Sequence, residues 1–320
     1  MRILSGIQPS GALHIGNYFG MMRPAIDLQG AGEAFYFIAD YHALTSLRDP
    51  VALRALSRGV AVDFLACGLD PSRATLFRQS DVPQVTELAW ILNTVAPMGL
   101  LERAHSYKDK VARGLPASAG LFTYPVLMAA DILIYDSDVV PVGRDQKQHV
   151  EITRDLATKM NETFGPILKL PEPRIQTATA TVPGLDGQKM SKSYGNTIEI
   201  FGEEKETRKR VMSIVTDSTP VEAPKNADAS AIFQLFSLVA SPNESAEMRA
   251  AFEQGGRGYG DFKKQLFAAL WEYFAPFRQR REELLAQPDH IDEVLAAGAR
   301  RANSAADDVM GRVRQAVGLR

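Results

Sequence analysis

Short runs that are apolar throughout, each followed by a stretch with helical spacing, recur along the first half of the chain. Ala34 to Asp40 is the longest, and Ile3-Leu4, Ala74 to Gln79 and Val139 to Val142 read the same way. A strand that is apolar at every position is buried on both faces, which is the mark of a parallel sheet. Helical patterns over Leu13 to Gln29, over Pro50 to Ala66 and from about Val85 supply the crossovers between strands. The alternation predicts an α/β fold with an open, doubly wound parallel sheet. Ligands of such sheets bind beyond the carboxyl ends of the strands, so Gln8, Asp40, His42, Gln79, Gly143 and Asp145 become candidates. His42 carries two readings, because a histidine at a helix start is as often structural as functional.

The first strand-to-helix junction, Gly6 to Asn17, is rich in turn residues: Pro9, Ser10, Gly11 and Gly16. Amides at a helix start carry partial positive charge and lack intrahelical acceptors, so such a junction can hold a phosphate. Gly16 admits a flat base close to the backbone, and His14 and Asn17 can hydrogen-bond phosphate or ribose. A ligand-free glycine turn explains the same residues when they are taken alone. A second stretch adds weight: Lys189-Met190-Ser191-Lys192-Ser193, set among Gly184, Gly187 and Gly195. The glycines predict a mobile loop, and two lysines three apart can reach one polyphosphate. Cations that meet a leaving diphosphate best as its charge develops lower the barrier rather than only tightening binding.

Gly120 to Tyr135 is apolar on all sides except for Asp131. A buried carboxylate needs a partner. Spacing sets Leu127, Met128 and Tyr135 one turn from Asp131 and Tyr124 two turns back, which makes an apolar slot with one fixed acceptor. An indole, an apolar plate with a single N–H, matches that slot. By spacing alone, an arginine within the fold matches it equally well. Pro125 suits the first turn of this helix.

His14-Ile15-Gly16-Asn17 and Lys189 to Ser193 resemble the two signature motifs of the class I aminoacyl-tRNA synthetases. Asn17 stands where the first motif ends in histidine, a variant similar to that of the tryptophanyl branch. Gly6 to Gly11, Thr123 to Leu133 and Pro141 to His149 also resemble the bacterial members of that branch, so the likeness spans nearly all 320 residues. Arg144, where an acidic residue is common, and the lead-in Pro183 to Gln188 depart from the pattern.

The resemblance implies a Rossmann-like catalytic domain over residues 1–200 and an all-helical, anticodon-binding domain over 201–320. It implies that Gln8, Pro9, Ser10, Gly16, Asn17, Gly143, Arg144, Asp145, Val182, Lys189, Met190, Ser191, Lys192 and Ser193 bind ATP. Asp131, Met128, Tyr124, Gln146, Ile132, Val140, Val142, His42 and Gly6 would bind tryptophan, with Asp131 reading the indole N–H. Lys189, Lys192, Lys110 and Gln8 would carry the catalysis, with Mg²⁺ on the phosphates. The partners implied are L-tryptophan, ATP, tRNA(Trp) and a second copy of the chain. A solvated helix position is the lesser reading of Lys110. His149 with Asp145 as a metal pair is set aside, since two residues make no closed site. A tyrosyl enzyme and a small-molecule adenylyltransferase of the same superfamily are the rival readings.

From Glu203 onward the pattern is helical: Glu204 to Val215, Ala229 to Val239, Ser245 to Phe252, Asp261 to Leu285 and Ile291 to Val317. The net charge of −2 means that any RNA contact must come from local basic patches, such as Lys205 to Arg210 and Arg278 to Arg281. The single cysteine, Cys67, excludes an internal disulfide and a cysteine zinc site. With no apolar run of membrane-spanning length and a start directly on a strand, the expectation is a cytoplasmic enzyme.

Overall fold

The computed structural model describes residues 1–112, 114, 117–142, 147–175 and 182–319, with backbone alone at 105, 106, 109, 110, 142, 147 and 173–175. Five strands form one sheet: β1 (Arg2–Ile7), β2 (Glu33–Ile38), β3 (Ala74–Arg78), β4 (Val139–Val142) and β5 (Glu172–Ile175). They lie in the order β3-β2-β1-β4-β5, and every neighbouring pair is parallel. The chain therefore reverses its direction of growth at β1, and a crevice opens beyond the carboxyl end of that strand, where Gln8 follows.

Four strands fall where the apolar runs set them. The fifth, Glu172-Pro173-Arg174-Ile175, is not apolar and is not expected from the sequence. It is an edge strand, and charges and a proline are tolerated at an edge because one row of backbone groups needs no ladder partner.

Two compact units divide the chain, and each is built from separate segments. The first takes Met1–Gly11, Ala25–Gln176 and Ala286–Arg320, and the second takes Ala12–Pro24 and Thr177–Leu285. Among the described residues no strand follows β5, as the helical pattern predicts. Compactness, however, does not part the chain at residue 200.

The last helix, Pro288–Val317, belongs with the sheet because it lies along edge strand β3. A Cβ on Gly298 would come within 1.8 Å of the Leu76 carbonyl oxygen. Arg301 donates to the carbonyls of Pro71 and Ala74 at 2.9 and 3.3 Å. Ala302, Ala306, Val309, Met310 and Val313 join the sheet's core. The helix thus covers backbone that would otherwise invite a foreign strand.

Alternation along the strands fills both faces of the sheet. Leu4, Phe35, Phe37 and Phe77 share one core with residues of Gln84–Val95, Ala119–Leu133 and Lys147–Phe164. Tyr36 stacks on Phe64 of the Pro50–Ala66 helix with ring centroids 6.4 Å apart.

The Ala119–Leu133 helix begins earlier than expected. Ser118 Oγ accepts the Leu121 N–H at 3.2 Å, so Pro125 lies inside the helix and not in its first turn. Among the described residues no helix is long and apolar enough to cross a membrane.

In the second unit, Tyr18 and Phe19 pack on Tyr273 and Phe274 with centroids 5.2 to 6.2 Å apart, and the Tyr18 and Tyr273 hydroxyls meet at 3.2 Å. This aromatic cluster ties the Ala12–Pro24 segment to the helices Tyr259–Tyr273 and Ala275–Leu285.

Candidate active site

In the sheet unit, Asp131 is only 2% exposed, near the end of the Ala119–Leu133 helix. Among the described residues its partners are not an arginine. His42 Nε2 lies 2.8 Å from Oδ2, and the Gln79 amide donates to both carboxylate oxygens at 2.7 and 2.9 Å. Burial pushes the Asp131 carboxyl above its ordinary value, and the hydrogen bonds from His42 and Gln79 oppose that rise.

Around this carboxylate, Gln8 Nε2 donates to the His42 carbonyl at 3.2 Å. The His42 ring stands edge-on to Tyr124 with centroids 6.4 Å apart, and the Tyr124 hydroxyl meets His149 Nε2 at 2.6 Å. Gln8, His42, Tyr124 and Asp131, remote in sequence, are thereby brought together. Each comes from the carboxyl end of a strand or from the Ala119–Leu133 helix.

Gly6 is exposed although it lies in the central strand, and a Cβ there would run into the Phe37 ring at 2.4 Å. Only glycine leaves the backbone open to a flat group at that point. Met128 and Leu127 are half-buried against the core, whereas Ile132 and Val140 lie within it. Tyr135 does not line an open slot. It is buried and stacked on Phe35 at 5.1 Å.

In the second unit the two signature stretches lie side by side. Ile15 N–H donates to Ile198 O and Ile200 N–H to Leu13 O, while Met190 N–H donates to Val182 O. A Cβ on Gly16 would stand 3.2 Å from Met190 Cβ. His14 Nδ1 accepts the Asn17 N–H at 3.3 Å, and Asn17 Oδ1 accepts the His14 N–H at 3.1 Å. The imidazole proton therefore sits on Nε2, which is a donor.

These bonds correct the expected amide cradle. The N–H groups of His14, Ile15, Asn17 and Tyr18 already have acceptors, which leaves Gly16 as the one amide of this turn with none among the described residues. A phosphate at this junction would be met by side chains more than by backbone.

The lysine loop is braced by the buried Asn196. It accepts from Ser191 N–H at 2.8 Å and donates to Asp186 at 2.7 Å and to Lys189 O at 3.2 Å. Gly187 and Gly195 have φ of +77° and +65°, as turns require. Gly184 serves close approach, since a Cβ there would strike Asn196 at 2.2 Å. Lys189 and Ser193 are exposed, Ser191 and Lys192 half-buried, and Val182 and Met190 buried. Burial lowers the Lys192 ammonium pKa, and Glu199 opposes the shift. Burial and the Lys192 charge together lower His14 to about 4.

Basic residues expected to face RNA have internal duties as well. Arg210 donates to the carbonyls of Gly195 and Thr197, both at 3.0 Å. Arg208 covers the Phe267 ring, Arg278 the Trp271 ring and Arg281 the Phe201 ring.

Gly143, Arg144, Asp145 and Gln146 lie outside the described residues, as do the side chains of Lys110 and Val142. In the sequence Gln79 stands out only as a residue past a strand end, and His149 only as a metal ligand. Their contacts across 52 and 25 residues leave no local pattern to read.

Comparison with known proteins agrees with this geometry. The family described as tRNA synthetases class I (W and Y) matches residues 1–275. A tryptophan–tRNA ligase of Rhodopirellula baltica is 56% identical, with both chains covered in full. The crystal structure of tryptophanyl-tRNA synthetase from Campylobacter jejuni complexed with ADP and tryptophan superposes with a TM-score of 0.93 at 50% identity, all of both chains covered. The enzyme of Mycoplasma pneumoniae gives 0.86 at 30% identity over 100% of this chain and 98% of that one. The chain belongs to the class I aminoacyl-tRNA synthetases, in their bacterial tryptophanyl branch.

Proposed function

We propose that the chain joins L-tryptophan to tRNA(Trp) with ATP as the energy source. The observation that carries this reading is the buried Asp131, held by His42 and Gln79 beside Tyr124, in a chain whose full-length relatives are named tryptophan–tRNA ligases. In the first step a carboxylate oxygen of tryptophan attacks the α-phosphorus of ATP. The bond from that phosphorus to the bridging oxygen breaks, diphosphate leaves with the electron pair, and tryptophanyl-adenylate forms. In the second, a terminal ribose hydroxyl of the tRNA attacks the aminoacyl carbonyl, loses its proton, and AMP departs.

No protein nucleophile is needed, so the chain's task is positioning and charge stabilisation. Asp131 accepts the indole N–H, and Tyr124 and Gln146 orient the polar end of the amino acid. Met128, Ile132, Val140, Val142, His42 and Gly6 shape the niche. Gln8, Pro9, Ser10, Gly16, Asn17, Gly143, Arg144, Asp145 and Val182 hold the nucleotide. Lys110, Lys189 and Lys192, with Met190, Ser191 and Ser193 setting the loop, meet the phosphates.

Lys189 and Lys192 would share the ATP phosphates with a Mg²⁺ ion, which when bound would supply further positive charge against the departing diphosphate. A partly desolvated Lys192 gains most from a polyanion whose charge grows as the bond breaks. Residues 201–320 supply the anticodon contacts, the active form is a homodimer, and the enzyme works in the cytoplasm.

Single-turnover formation of the adenylate tests this reading. The wild-type protein forms tryptophanyl-adenylate from ATP and tryptophan, and Lys192→Ala slows that step about 100-fold while tryptophan affinity stays within about two-fold. No adenylate from the wild type, or equal losses of rate and affinity in the variant, contradicts it.

A further inference from the structure

Gln79 begins the turn after β3, next to the end of β2, and is 1% exposed. An amide side chain can be built in either of two orientations, and its neighbours decide between them. The Tyr41 backbone N–H, a donor only, lies 3.1 Å from Oε1. This fixes the oxygen towards Tyr41 and turns the NH₂ group to Asp131, where it donates to both oxygens at 2.7 and 2.9 Å. The flip that would offer Asp131 an oxygen would also face the Tyr41 N–H with a second donor.

A carboxylate offers about four acceptor positions. The Gln79 nitrogen shares a hydrogen between the two oxygens and His42 Nε2 meets Oδ2, so among the described residues Oδ1 has fewer partners than Oδ2.

We propose that Gln79 is a positioning residue for substrate choice: its amide, locked by Tyr41, holds the Asp131 carboxyl group in place and aims it at the indole N–H. The proposal rests on Asp131 reading tryptophan. Among the described residues the Gln79 side chain hydrogen-bonds only Asp131 and Tyr41, so its effect on the substrate passes through the carboxylate.

The test compares tryptophan with β-(3-benzothienyl)alanine, which has the same shape with sulfur in place of the indole N–H. Gln79→Met keeps the length of the side chain and removes its donor to Asp131. Wild type should prefer tryptophan in kcat/KM by a large factor, since a site built to bond an N–H rejects an analogue lacking it. In Gln79→Met that preference falls at least about ten-fold, through the KM for tryptophan, while the benzothienyl substrate changes within about two-fold. Equal losses for both substrates, or an unchanged ratio, overturn the proposal. Asp131→Ala removes the acceptor and separates the two claims: if it leaves the ratio intact, the reading of Asp131 fails, and if it alone collapses the ratio, only the role of Gln79 fails. Should Gln79→Met not fold, the ratio is measured on Gln79→Leu, where a fall supports the role of Gln79 and an unchanged ratio overturns it.

Discussion

His14 is buried, and its imidazole is held down to about 4 from 6.5, by burial first and by the Lys192 charge second. As pH falls from 6.5, the unfolded chain takes up this proton before the folded one does. The stability tied to His14 is therefore fully present above 6.5 and is lost as pH approaches about 4. Thermal unfolding between those limits should show a Tm that falls with acid, and His14→Gln should flatten the fall. An equal slope in the variant would place the loss elsewhere. The sequence marks His14 and Asn17 as ligand contacts but not as each other's caps, because the pairing uses neither the serine nor the glutamate that usually marks a capping box. Asp131 was legible because a lone carboxylate in an apolar helix must have a partner. That its partners are His42 and Gln79 was not, since both arrive from other strands.

Apolar runs carry the information for buried strands, so four of the five were readable, while β5 shows only the composition of an edge. The helix Pro288–Val317 was readable as a helix from its periodicity, but its docking on β3 is a long-range fact decided by where it is narrow. Gly298 is that place, with the Leu76 backbone 1.8 Å from a would-be Cβ, whereas Gly311 on the same helix has nothing within 4 Å. Gly298→Ala should cost about 2 kcal/mol or more, because backbone cannot yield as a side chain does. Gly311→Ala should add roughly 0.5–1 kcal/mol by removing a glycine from a helix interior. Denaturant midpoints at constant m-value check both, and like-signed shifts would contradict this account of the docking.

A net charge of −2 gives no general attraction to RNA, so affinity for tRNA has to reside in particular basic side chains. Of those, Arg208, Arg210, Arg278 and Arg281 also brace their own unit. On the proposed function, recognition of the small substrate is concentrated in one carboxylate, and the chemistry on ATP in one lysine loop. The measurement that joins the two is exchange of labelled pyrophosphate into ATP, run with each of the twenty amino acids. Tryptophan alone should drive exchange, and Asp131→Ala, which removes the acceptor, should abolish that selectivity. Exchange driven by tyrosine alone, or none with any amino acid, would contradict the account.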